Sequence, residues 1–240
     1  MPWSEEQESL DDAWTARLDP GELAQNLTDL ARIKRWLGLH RDLCRALRPG
    51  GGRRELRVLD VATGGGDVPA QLIGCAGNET DLRVQVVGVD LHPQVIREAR
   101  RRQAEPGVAF VRGDGLRLPM ADRGVDAALC MLSLHHFAPE EARTLLQEMA
   151  RVSREHIIVI DFVRSRRAYV AAWLLTHLLG PGHRLSRRDG PLSIRRAYTL
   201  AEMRRLAAAA RLAGAQVRPR APFLAVLEVV LAHSPHQHEP

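Results

Sequence analysis

Two rhythms of apolar and polar positions alternate along most of this chain. Short runs of Val, Ile, Leu and Ala read as buried β-strands near residues 57–62, 84–90, 108–112, 126–131 and 156–162. Between them, apolar residues recur every three or four positions, which predicts helices over 67–76, 93–103 and 139–152. Strand and helix in strict alternation imply a doubly wound, mostly parallel sheet with helices on both faces and ligands at the carboxyl ends of its strands. Upstream, Leu23, Leu27, Leu30, Ile33, Leu37, Leu43 and Leu47 predict helix over 21–48, with Gly38 as a candidate break. Downstream, Thr199-Leu200-Ala201-Glu202 is a capping box that starts a helix running to about Leu212, closed by Gly214. Val217 and the segment Phe223 to Leu231 read as the last two strands.

The expected organisation is an N-terminal arm and helical cap (1–52, ending in Pro49-Gly50-Gly51-Gly52) and a core (53–163). An insertion (164–198), a C-terminal helix with two strands (199–232) and a frayed tail (233–240) follow. The insertion opens on Arg164, Arg166 and Arg167, passes through an apolar helix around Tyr169, Trp173 and Leu174, and enters a basic loop over 183–196. A helix apolar nearly all round has to bury itself, under the N-terminal helices or against an apolar ligand.

Chemistry concentrates at the strand ends. Val58-Leu59-Asp60-Val61-Ala62-Thr63-Gly64-Gly65-Gly66-Asp67 is a strand running into a glycine turn and a helix. Val86-Val87-Gly88-Val89-Asp90 repeats the pattern and ends on an acid suited to both hydroxyls of a ribose. A dinucleotide is disfavoured. Pro69 stands where the third glycine of the dinucleotide fingerprint belongs, and Asp67 would repel a pyrophosphate. The ammonium and sulfonium of S-adenosylmethionine tolerate that acid. Asp114-Gly115 after the third strand, and Ser133-Leu134-His135-His136-Phe137 after the fourth, are two further stations.

These four stations, in order, resemble the class I S-adenosylmethionine-dependent methyltransferases, and most closely their small-molecule branch beside the quinone and sugar O-methyltransferases. The resemblance covers about residues 55 to 165. It implies a seven-stranded, Rossmann-like sheet, with the final strand antiparallel and the insertion as a lid over the acceptor. It also implies S-adenosylmethionine as cofactor, with Asp60, Ala62, Thr63, Gly64 and Gly66 around the methionine end. Asp90 then lies at the ribose and Asp114 near the adenine, with Leu91, Gly115 and Leu132 also among the cofactor-binding residues.

Methyl transfer to oxygen needs a proton acceptor. His135 and His136 follow the fourth strand and Asp161 ends the fifth, so a histidine oriented by a carboxylate is expected there, with His136 the preferred base. Arg187, Asp189, Arg195 and Tyr198 are candidates for ordering the lid. The leading expectation is an O-methyltransferase for a phenolic, polyketide or quinone-like acceptor, aromatic or partly apolar. Methylation of a ring carbon stands close behind. An RNA or protein methyltransferase is less favoured, because SLHHF stands where an Asn/Asp-Pro-Pro-Tyr element would serve base-amino chemistry. A non-catalytic cofactor-binding subunit is disfavoured by the intact acids and glycines.

Composition narrows this only a little. The net charge of +5 comes from arginine, since Lys34 is the only lysine. That skew reads as coding bias rather than a nucleic-acid surface. Cys44, Cys75 and Cys130 share no metal-ligand spacing, and His233, His236 and His238 are expected to hold no functional metal. No signal-like apolar segment opens the chain, so a reduced, cytoplasmic protein is expected. Arginines flanking the apolar lid helix are compatible with peripheral membrane contact, and that helix with Trp36 is compatible with a homodimer.

Overall fold

The computed structural model describes residues 19–39, 41, 43, 55–76, 83–178 and 184–231, with no side-chain description for 75, 76, 175, 178 and 184–189. The arm before residue 19, the Pro49–Gly52 boundary and the tail with its three histidines lie outside the described residues, as do the side chains of Arg187 and Asp189.

Helix α1 (Pro20–Trp36) is followed by strand β1 (Glu55–Val61), α2 (Asp67–Ala76), β2 (Arg83–Asp90), α3 (Pro93–Arg102), β3 (Val108–Arg112) and β4 (Val125–Met131). Then come a 3-10 turn (Leu134–His136), α4 (Pro139–Val152), β5 (Ser153–Phe162), α5 (Arg166–Leu178), α6 (Arg184–Arg196), α7 (Leu200–Ala209), β6 (Gln216–Arg220) and β7 (Leu224–Val230). The seven strands form one sheet in the order β3-β2-β1-β4-β5-β7-β6. β1 to β5 pair in parallel, and β7 inserts antiparallel between β5 and β6.

Alternation along the strands feeds two cores. Leu59 and Val61 of β1, Ala128 and Cys130 of β4, and Ile157 and Val159 of β5 pack on the face covered by Leu145, Leu146 and Met149 of α4 and Met203 of α7. Leu56, Val58, Leu129, Met131, Ile158 and Ile160 face the other way, onto Val68 and Leu72 of α2 and Leu39 and Leu43. Every residue of β4 is buried, as a strand covered on both faces requires. Local chemistry fixes the ends of helices. Pro139 opens α4 while Glu141 reaches back to the Ala138 amide at 2.9 Å. Thr199 and Glu202 cap α7 reciprocally, as expected, but α7 stops at Ala209, and Arg211 turns out at φ +60°.

Strand order reverses between β1 and β4. Ligands of such sheets bind in the crevice beyond the carboxyl ends at that point, and both candidate motifs lie there. α1 reaches the same edge. Leu23 and Leu27 pack on Val95, and Arg102 donates to the carbonyl of Ala24 and, at 3.1 Å, to the Thr28 hydroxyl. Gly38 at φ +69° breaks the N-terminal helix where the sequence places the break.

The insertion departs from expectation in two ways. Residues 184–196 are a helix, not a basic loop, and Pro191 sits inside it. The buried residues Leu192, Ile194, Ala197 and Tyr198 secure its C-terminal part, so tertiary packing overrides the proline's lost hydrogen bond. The apolar helix α5 is also not buried all round. It packs as a hairpin on α6 and leaves Val170, Trp173 and Leu174 exposed at 54%, 43% and 39%. Among the described residues no helix is long and apolar enough to cross a membrane.

Candidate cofactor and acceptor site

The turn after β1 is wound tightly enough to need glycine. Gly64 and Gly66 adopt φ +58° and +75°, and a Cβ on Gly66 would come within 2.5 Å of the Phe110 ring. Ala62 shares the left-handed region at φ +56°. Within the turn Thr63 Oγ1 donates to Asp60 Oδ2 at 2.7 Å, and both residues are buried. Asp60 therefore braces the loop from below. Burial lifts its carboxyl to about 7, against the opposing pull of Lys34 and Thr63.

Asp90, at the end of β2, accepts from the Gly64 amide at 3.0 Å and from the His92 amide at 3.1 Å. It thereby ties the glycine turn to the second strand, and burial raises its pKa. Leu91 beside it is exposed on the rim. Asp114 is exposed and accepts from the Leu116 amide at 2.8 Å, while Gly115 is buried against Leu145 and Val61. Leu132, at φ +53°, ends β4 and donates its amide to Ile160. All of the expected cofactor residues thus gather along one sheet edge.

Sequence reasoning missed Lys34. From α1 it reaches Asp67 at 3.2 Å, and both are buried, 7% and 8% exposed. Burial opposes its ammonium, but Asp67, Asp60 and Asp90 outweigh it and hold its pKa above the ordinary lysine value. A lysine patterned into an amphipathic helix gives no sign of this; its being the only one in the chain was the available signal.

Across the crevice the structure pairs Asp161 with His135 rather than with the preferred His136. Asp161 Oδ1 lies 2.6 Å from His135 Nδ1, and Oδ2 accepts the His135 amide at 2.8 Å. Oδ1 also accepts the Phe162 amide at 2.6 Å. A carboxylate so placed accepts from Nδ1 and fixes the orientation of the imidazole ring. The His136 ring lies tilted against the His135 ring, centroids 4.4 Å apart, and is the more exposed of the two.

The turn bearing both histidines is strapped from the end of the insertion. Arg196, also missed by sequence reasoning, donates Nε to the His135 carbonyl at 3.1 Å and Nη2 to the His136 carbonyl at 2.6 Å. Tyr198 donates its hydroxyl to the Phe137 carbonyl at 2.6 Å, and burial pushes its pKa up. Tyr198 is buried rather than a solvated surface residue, and its hydroxyl is tied to the histidine turn. Among the described residues no group of three His, Cys, Asp or Glu is set to hold a metal ion.

A family model described as a methyltransferase domain matches residues 58–156. A demethylmenaquinone methyltransferase of Beutenbergia cavernae is 36% identical over 153 residues, 60% of this chain and 59% of that protein. Residues 58–156 thus match a methyltransferase domain, and the sheet has the fold of the class I S-adenosylmethionine-dependent methyltransferases. A second demethylmenaquinone methyltransferase, from Deinococcus radiodurans, is 39% identical over 84 residues, 34% of this chain and 33% of that protein. The matched segments therefore span between a third and three fifths of these relatives' length. A methyltransferase from Aquifex aeolicus shares the fold at TM-score 0.61, covering 90% of this chain and all of that one at 17% identity. Human N-acetylserotonin methyltransferase, solved with S-adenosylmethionine, does so at TM-score 0.65 and 14% identity, over 92% of this chain and 59% of that one.

The methyltransferase domain uses S-adenosylmethionine, and its loop fits that cofactor. Three acids, Asp60, Asp67 and Asp90, surround a single lysine, a field that favours a ligand of net positive charge. Asp67 Oδ2 is buried with no partner among the described residues, as a carboxylate awaiting an ammonium would be.

Proposed function

We propose that the domain methylates a ring carbon of an electron-rich, quinone-type aromatic acceptor. The observation that carries this reading is the buried His135–Asp161 pair at the carboxyl ends of β4 and β5. Similarity to demethylmenaquinone methyltransferases, and to a ubiquinone/menaquinone biosynthesis C-methyltransferase of Desulfotalea psychrophila, favours carbon over the oxygen expected from sequence. S-adenosylmethionine, once bound, supplies an electrophilic methyl on a sulfonium.

The domain's own residues manage the proton. His135 Nε2 takes it from the acceptor's ring hydroxyl, while Asp161 fixes the ring and balances the imidazolium that forms. Loss of that proton pushes electron density onto the adjacent ring carbon, which attacks the methyl as its bond to sulfur breaks. The hydrogen that carbon bore then leaves as a proton and the ring oxygen regains one, restoring the aromatic ring. Burial of His135 keeps bulk water off the base, and the ring of His136 lies tilted against it. The exposed stripe Val170, Trp173 and Leu174 on α5 suits an acceptor with an apolar tail.

The test offers the purified protein a short-chain demethylmenaquinol and a simple phenol, with methyl-labelled S-adenosylmethionine. A carbon-bound methyl on the quinol is expected, with His135→Ala lowering kcat by about 10²–10⁴. A methyl ether as the product, or turnover of the phenol alone, would overturn this in favour of O-methylation.

A further inference from the structure

We propose that Lys34 and Asp67 together form a receptor for a zwitterion, the α-amino acid end of the cofactor. Lys34 takes the α-carboxylate and Asp67 Oδ2 takes the α-ammonium.

Three observations point there. The first is that the pair is only half completed. Lys34 Nζ meets Asp67 Oδ1 at 3.2 Å, whereas Oδ2 is buried and unpartnered among the described residues. A buried ion pair is costly unless its remaining donors and acceptors are satisfied, so an orphaned oxygen marks a missing partner. The second is the local charge. Lys34 lies under the influence of Asp67, Asp60 and Asp90 together, and without its ammonium a ligand carboxylate would meet acids alone. The third is position. Asp67 begins α2, so the α-carboxylate that Lys34 holds beside it also meets the positive end of that helix. Leu27, on the same helix as Lys34, covers the glycine turn, and a Cβ on Gly65 would lie 3.4 Å from Leu27 Cβ. α1 is thereby both the roof of the glycine turn and the carrier of its cation. The inference rests on the cofactor and not on the acceptor chemistry.

The test is calorimetric and uses two ligands in the absence of any acceptor. S-adenosylhomocysteine carries the amino acid end; 5′-methylthioadenosine keeps the adenosine and sulfur but lacks it. Lys34→Met should weaken S-adenosylhomocysteine about ten- to hundredfold while methylthioadenosine stays within about twofold. Lys34→Arg should restore part of the loss. Because Lys34→Met strands a buried acid, the double variant Lys34→Met/Asp67→Asn serves as the folded control and should show the same selective loss. Equal weakening of both ligands, or none, would overturn the proposal. So would a wild-type protein that binds the two ligands equally well. Failure to methylate a quinol would leave it standing.

Discussion

Replacing Asp161 by Asn tests the histidine pair without deleting any atom from the skeleton. In the wild-type protein the two carboxylate oxygens accept three donors: the His135 amide, the Phe162 amide and His135 Nδ1. An asparagine has one oxygen and one NH₂ for the same three places. With its NH₂ at the Oδ2 position it faces the His135 amide, donor against donor. With its NH₂ at the Oδ1 position it faces the Phe162 amide, and His135 must turn its unprotonated Nδ1 toward it. Either orientation leaves a buried backbone donor unpaired, at about 1–3 kcal/mol of stability. For a chain of this size each kcal/mol corresponds to about 2–4 °C in Tm. The second orientation also moves the proton to Nε2, the wrong tautomer for a base. Thermal unfolding reads the first consequence, and imidazole nitrogen NMR of His135 reads the second. A variant with wild-type Tm and an unchanged His135 tautomer would refute the pairing as drawn. Where an acceptor is in hand, kcat should fall by about 10²–10⁴.

Two other perturbations address the cofactor side. Burial holds the Asp60 carboxyl at about 7. An unfolded aspartate titrates near about 4, so between those values the native chain keeps a proton that the unfolded chain has lost. Stability therefore falls as pH rises from about 4 to about 7 and levels off above, and urea midpoints for Asp60→Asn should show a flatter slope than wild type. An identical slope would mean that Asp60 is not the group responsible. Gly66→Ala places a methyl 2.5 Å from the Phe110 ring at a φ of +75°. It should cost about 2–4 kcal/mol in denaturant unfolding. Adding Phe110→Leu should recover only the clash, not the backbone strain; complete recovery would show that strain is negligible there.

The core was legible because its periodicities and punctuation agree. The apolar runs of β1 to β5 and the caps at Pro139 and Thr199 follow from local chemistry that the fold leaves intact. The glycine turn and the acids at the strand ends were legible for the same reason. The insertion was not. Arginines and a Gly190-Pro191 pair read as a loop, yet buried Leu192 and Ile194 hold a helix through them, a decision made by tertiary packing. Nor does sequence decide which of two adjacent histidines turns toward Asp161, because the 3-10 turn at Leu134–His136 sets their directions. Lys34 and Arg196 were missed for a shared reason. Each acts on a segment distant in sequence, Asp67 in one case and the carbonyls of His135 and His136 in the other.

The hold of Arg196 and Tyr198 on the histidine turn sets a seam for building hybrids of this protein. Most of the α5–α6 hairpin precedes these two residues in sequence, so a splice placed after Tyr198 would carry the donor's own strap into a turn grown around this one. A splice before Arg196 exchanges the hairpin and leaves both straps with the turn they hold. Hairpins of different sequence are therefore interchangeable at one boundary and not at another only a few residues away.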